Sequence, residues 1–220
     1  GCEVVCRRQD LATHEADMQA HYRLLMEATL LLHRQRRESP LHVPPLALLN
    51  RVSCGELGAW RQLQALAEGG DRAAQVYVMV VYTRGEILCR HQPKDPLLAQ
   101  CLAAQLLPWL RAEGVEGGNA HAMFGLGECH WEGLGMPEDT TEALRLWRVA
   151  AEQGHTYAQC TVGLVYGLGM KGVTTVDKAK ALVWYRQAAN QGYASAQCSV
   201  GVSHARGRGV AQDKAEALVW

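Results

Sequence analysis

The 220-residue chain is 48% hydrophobic and 20% charged, with 22 basic and 22 acidic residues and a formal net charge of zero. That length and apolar content suffice for one large or two small cored domains and exclude a disordered chain. The charge balance argues against nucleic acid as the main partner, because phosphate binding shows as a basic excess. No apolar run approaches the ~18 residues that span a bilayer, so no transmembrane segment is expected.

The chain opens on Gly1-Cys2 with no initiator Met. The plainer reading is a fragment boundary; the alternative is a bacterial lipoprotein, cleaved ahead of Cys2, which would then carry the lipid. Residues 9–38 read as one long helix, with Leu11, Met18, Leu25 and Leu32 at sevenfold spacing beside Tyr22. It is expected to cap the rest of the chain rather than to form a coiled-coil seam. The short basic runs Arg7–Arg8 and Arg34 to Arg37 read as solvated helix surface. The stretch ESPLHVPP (38–45) ends the helix, so 1–45 is an N-terminal helix with a Pro-rich linker. A lead-in helix pair, near 46–53 and 56–68, fills residues 46–70.

From there the chain repeats itself. Gly70, Gly118, Gly154 and Gly192 anchor four copies at spacings of 48, 36 and 38. Four residues after each anchor stands an alanine (Ala74, Ala122, Ala158, Ala196). Then follow Met79, Gly127, Gly163 and Gly201; Tyr82, His130, Tyr166 and His204; and Gly85, Gly133, Gly169 and Gly207. These offsets share one helical face, and its small residues invite close approach by a second helix. A glycine inside a helix costs about 1 kcal/mol relative to alanine, so its recurrence needs a packing reason. The terminal glycine is a natural helix end. Asp139, Asp177 and Asp213 stand where an N-cap is wanted, and Glu142 and Glu216 are expected to complete capping boxes. The second helix ends on an alanine pair such as Ala150–Ala151 or Ala188–Ala189. Helix pairs of this kind bury their faces by stacking, which defines a solenoid. The copies run about 71–118, 119–154, 155–192 and 193–220. Because Trp220 matches Trp184, the last is expected to continue past Trp220.

The combined pattern is A-x4-G-x2-Y-x2-G, then G-V-x-x-D-x-x-K-A, then W-Y-x-x-A-A-x-x-G. It resembles the Sel-1-like repeat family, relatives of the tetratricopeptide repeats. The likeness covers residues 71–220, is nearly complete in the last two copies and is degenerate in the first. It implies an all-α, right-handed superhelix of antiparallel helix pairs, acting as a protein-binding scaffold without catalysis or cofactor. By register with the tetratricopeptide arrangement, the first helix of each pair lines a concave groove. That implies a groove of Val76, Val80 and Arg84; His121, Phe124, Glu128 and Trp131; Tyr157, Cys160, Leu164 and Leu168; and Cys198, Val202 and Arg206. The mixture of apolar, aromatic and a few charged residues suits a protein partner. On this reading Phe124→Ala or Trp131→Ala would weaken capture without unfolding the chain.

The first copy departs from the pattern. Met79 replaces the glycine, and the insertion CRHQPKDPLLAQC (89–101) is closed by Cys89 and Cys101, a disulfide candidate in an oxidising compartment. Pro108 falls inside its second helix and predicts a kink or a late start.

The remaining chemistry is sparse. Cys160 and Cys198 share a position with Val76 and Phe124, which reads as packing. Cys2 and Cys6, with His14, Met18 and His21, could offer copper a soft ligand set, but a lone C-x3-C is weak and no metal site is assigned. His130 and His204 replace the repeat tyrosine and read as packing residues. No G-x-S-x-G, phosphate loop or H-E-x-x-H is present, and no catalytic residue is assigned. The alternative function is an envelope lipoprotein that organises polysaccharide export or a surface complex; a periplasmic or envelope location is favoured over the cytoplasm.

Overall fold

A computed structural model describes residues 44–85, 94–170 and 173–220. The long helix expected at 9–38, Cys2, Cys6 and Cys89 lie outside the described residues. Ten α-helices follow in order: α1 (Pro45–Ser53), α2 (Leu57–Glu68), α3 (Arg72–Arg84), α4 (Pro96–Arg111), α5 (Ala120–Glu132), α6 (Thr140–Glu152), α7 (Thr156–Leu168), α8 (Lys178–Asn190), α9 (Ala194–Arg206) and α10 (Lys214–Ala217). Among the described residues there is no strand, only an isolated bridge between Met170 and Thr174. Consecutive helices pack as pairs, α3 with α4, α5 with α6, α7 with α8 and α9 with α10. The architecture is an α-α superhelical solenoid preceded by the pair α1–α2.

The glycines of the repeat do two different jobs. Gly154 and Gly192, which turn the chain from one pair into the next, have φ of +89° and +81° with nothing within 4 Å of an added Cβ. There the backbone conformation, not space, selects glycine. Gly127 and Gly163 are helical, and a Cβ on them would lie 2.6 Å from Trp147 and 2.8 Å from Tyr185. Those two positions let the rings of the second helix lie directly on the backbone of the first.

Each second helix begins the same way. The carboxylates of Asp139, Asp177 and Asp213 accept from amides of the following turn: Thr141 and Glu142, Lys180, and Ala215 and Glu216. The reciprocal half of the expected capping box is not made. The Asp139, Asp177 and Asp213 amides donate instead to the carbonyls of His130, Tyr166 and His204. Asp95 does the same to Tyr82 in the first copy. The N-cap amide is therefore already satisfied across the pair. Glu142 turns to Arg145, and Glu216 accepts from the Trp220 indole.

The late start considered for Pro108 does not occur. The helix α4 starts at Pro96, capped by Asp95, and runs through Pro108 to Arg111. The irregularity comes just after it, as a π-helical segment at Ala112–Glu116. Gly114 in that segment lets it settle on α5, where a Cβ would stand 3.2 Å from the backbone of Ala122 and Met123.

A second recurring bond ties the copies together. Gln75, Gln159 and Gln197 occupy one repeat position, and their amides donate to the carbonyls of Ala67, Ala151 and Ala189 at 2.9, 3.1 and 3.4 Å. Each is a second bond to a carbonyl in the last turn of the preceding helix, which also accepts from the amide of Gly70, Gly154 or Gly192. The core is one continuous cluster from Leu48 in α1 to Val200 in α9.

Candidate functional site

The face lined by the first helices (α3, α5, α7, α9) divides into a closed half and an open half. The closed half corrects part of the groove expected from register. Val76, Val80, Phe124 and Glu128 are fully buried, and Tyr157 nearly so. The reason is that this row of each helix faces the next copy. Val76 lies against Gly125 of α5. Phe124 stacks on His155 with centroids 5.0 Å apart and meets Tyr157 edge-on at 5.1 Å. Tyr157 in turn meets Tyr193 edge-on at 5.7 Å. Trp131 turns away to pack on Trp147 of its own pair. Phe124→Ala would thus remove a core ring, at a cost of about 3–5 kcal/mol, and is unsuitable as a probe of partner capture.

Glu128 is the buried charge of this half. Arg84 forks onto it, Nη2 to Oε1 at 2.6 Å and Nε to Oε2 at 3.3 Å, while its guanidinium lies 5.5 Å over the Tyr157 ring. Burial pushes the Glu128 carboxyl up and Arg84 pulls it back. On Arg84 burial is the largest single influence and acts downward, but Glu128, Tyr157 and Tyr193 together outweigh it and raise the guanidinium pKa. The two-pronged contact is the geometry of a charge-assisted arginine–carboxylate pair.

Beside it runs a polar chain through three copies. The Ala158 amide donates to His155 Nδ1 (3.1 Å), which assigns the ring proton to Nε2. Nε2 then donates to the Tyr77 hydroxyl (2.9 Å), and that hydroxyl donates to His121 Nδ1 (2.5 Å). Every proton in the chain has one acceptor, so both rings are neutral. Burial, reinforced by His121, lowers the His155 pKa to about 3; burial also lowers His121, against the pull of Asp71.

The helix α1 covers the near end of this face. Leu48, Leu49 and Val52 are buried in the core, and the Asn50 side chain reaches 142 residues along the chain. Its amide nitrogen donates to Gly192 O at 3.0 Å, and its oxygen accepts from Ala194 N at 3.2 Å. The N-cap of α9, Tyr193, provides no side-chain cap. Asn50 supplies it from the other end of the molecule.

The open half lies on α7 and α9. Leu164 is 44% exposed, Leu168 71% and Val202 36%; Arg206 and Cys198 are exposed as well. These are the exposed members of the expected groove set. A cleft of about 270 Å³ opens there, with Leu164, Leu168, Lys178, Tyr185, Cys198, Val202 and Arg208 among its lining.

Burial raises the thiols of Cys129 and Cys160 to about 12, so neither is a thiolate at neutral pH. Among the described residues no three His, Cys, Asp or Glu side chains gather as a metal set. Cys101 is a free, exposed thiol on α4, so the staple to Cys89 forms no part of the described structure. No helix among the described residues is long and apolar enough to cross a membrane.

A solenoid of helix pairs whose first-helix face is closed over one half and open over the other is the class this geometry defines. Comparison with known proteins supplies the family. The Sel1 repeat model matches residues 120–155, 156–193 and 194–220. A Sel1 repeat protein from Oxalobacter formigenes of known structure is 34% identical, over 52% of this chain and 84% of its own, with a TM-score of 0.48. The protein c5321, a protective antigen present in uropathogenic Escherichia coli strains and displaying an SLR fold, is 22% identical. That match covers 88% of this chain but 47% of c5321, with a TM-score of 0.46. No curated protein matches. The chain belongs to the Sel1 repeat family. Proteins of this family generally mediate protein–protein interaction and are typically non-catalytic.

Proposed function

We propose that this chain is a non-catalytic scaffold that holds a partner protein on the open half of its first-helix face, with the pair α1–α2 as its N-terminal cap. The observation that carries this reading is the exposure of Leu164 and Leu168. In α3 and α5 the residues that match Leu164, Val80 and Glu128, are fully buried. In α7 the following copy is present, yet the two leucines stay in solvent. Apolar side chains held out on a rigid helix beside Val202 are the anchors a protein partner would cover.

The test is quantitative cross-linking in the native host with the natural full-length protein. The Leu164→Ser, Leu168→Ser double variant should lose its specific cross-linked partners by about tenfold, the loss of some 1.4 kcal/mol of binding. Its helical circular dichroism and melting curve should match wild type. An unchanged partner set at unchanged yield would remove the face from consideration.

A further inference from the structure

The cleft between α7, α8 and α9 differs from the rest of the surface in its charge. Its floor is apolar: Leu164, Leu168, Val202 and the Tyr185 ring. Its charged lining residues are Lys178 and Arg208, and no carboxylate lines it. Neither cation is paired among the described residues, because the nearby acids are already committed. Asp177 caps α8 and pairs with Lys180 at 3.1 Å, and Asp213 caps α10. Arg206 adds a third exposed cation on the same helix end. On a chain of zero net charge, the lining of this hollow carries cations and no carboxylate.

The position of Arg208 is built, not incidental. The next residue, Gly209, has φ of +76°, and a Cβ there would lie 2.3 Å from the carbonyl oxygen of Lys178. Only glycine allows the 207–210 turn to press onto the start of α8 in this way. The contact brings Lys178 and Arg208, thirty positions apart in sequence, to one rim.

We propose that this cleft docks a short segment of the partner protein in which one large apolar residue is flanked by carboxylates. The apolar side chain fills the hollow over Leu164, Leu168 and Val202; the carboxylates meet Lys178 and Arg208. The inference rests on the scaffold reading above and narrows it to a chemistry. Charge across such a rim selects the partner and speeds its arrival, while the buried anchor holds it.

Three labelled ten-residue peptides test this on the full chain: one with Phe flanked by Asp and Glu, its Asn/Gln analogue, and its Ala-for-Phe analogue. The first should bind saturably by fluorescence polarisation, and each analogue should bind about tenfold more weakly or worse. Lys178→Gln with Arg208→Gln, two exposed changes that leave the fold intact, should reproduce the loss seen with the Asn/Gln peptide. The bound peptide should also slow alkylation of the Cys198 thiol in the cleft and leave exposed Cys101 unaffected. Equal binding of the Asn/Gln analogue, or no binding of any peptide, overturns the proposal. If cross-linking still depends on Leu164 and Leu168, the scaffold reading survives that result. Protection of Cys198 before any peptide is added also overturns it. Protection that grows with protein concentration gives the cleft to a second copy; concentration-independent protection gives it to the chain itself.

Discussion

Arg84 and Glu128 illustrate how a residue-by-residue carry-over of register can find the right residues and misjudge their work. Both were expected in an open groove; they are in contact instead, Glu128 fully buried and Arg84 partly so. A buried pair is costly to break, because the surviving charge has no water. Glu128→Ala should therefore lower stability by about 3 kcal/mol, read as a shift of the urea midpoint at unchanged slope. Replacing both together, Arg84→Met with Glu128→Leu, should recover most of the loss; a double variant as unstable as the single would mean the pair itself is net stabilising. The histidine chain sets a pH dependence of known sign. His155 is held at about 3, against an ordinary value of 6.5, and His121 is also lowered. The unfolded chain therefore binds the extra protons first as pH falls. This contribution is complete above pH 6.5 and declines as pH falls toward 3, His155 alone adding a slope of up to about 1.4 kcal/mol per pH unit. His155→Asn, which keeps an N-cap side chain, should flatten the urea stability profile between pH 7 and 5. Equal slopes in the two proteins would take the histidines out of the account.

At the scale of the element, helix pairing depends on a bare backbone meeting a ring. A methyl group on Gly163 would press into Tyr185 at 2.8 Å and the Ala181 carbonyl at 3.2 Å. Gly163→Ala should cost about 1–3 kcal/mol from overpacking, despite the gain in helix propensity. Combining it with Tyr185→Leu should restore part of the loss, and urea titration of the single and double variants decides the matter. The helix ends show the limit of motif reading. The Asp–Glu spacing of a capping box is present at Asp139 and Glu142, but the reciprocal bond depends on a free N-cap amide. Here that amide is spent on His130 across the pair. The glutamine bond at 75, 159 and 197 was equally visible as a repeated letter. Its role emerged only from the position of the preceding helix end.

At the scale of the whole molecule, Asn50 converts an open stack into one whose ends touch. Solenoid copies ordinarily meet only their neighbours; here α1 caps α9 across three intervening helix pairs. Asn50→Ala should speed amide exchange in the first turn of α9, residues 194–197, and lower stability by about 1 kcal/mol, the usual value of an N-cap. Exchange elsewhere in the solenoid should change far less. An unaffected first turn in α9 would mean the contact is incidental to the fold.

What the sequence determined by itself is everything that repeats. Helix pairs, their register, the turning glycines, the aspartate caps and the family are local or periodic. Each follows from φ, helical spacing or a side chain within a few residues of its partner. What the tertiary structure decided is which part of the repeated face stays open. Register treats Phe124, Cys160 and Cys198 as equals. Burial depends on what is stacked beyond each one: His155 and Tyr157 over Phe124, and little over Leu164 and Leu168 on α7. The Asn50 cap, the Arg84–Glu128 pair and the Lys178–Arg208 rim all join residues 30 to 144 positions apart. No periodicity encodes such distances. They follow from the curvature of the stack, which is the sum of every inter-helix packing angle along it.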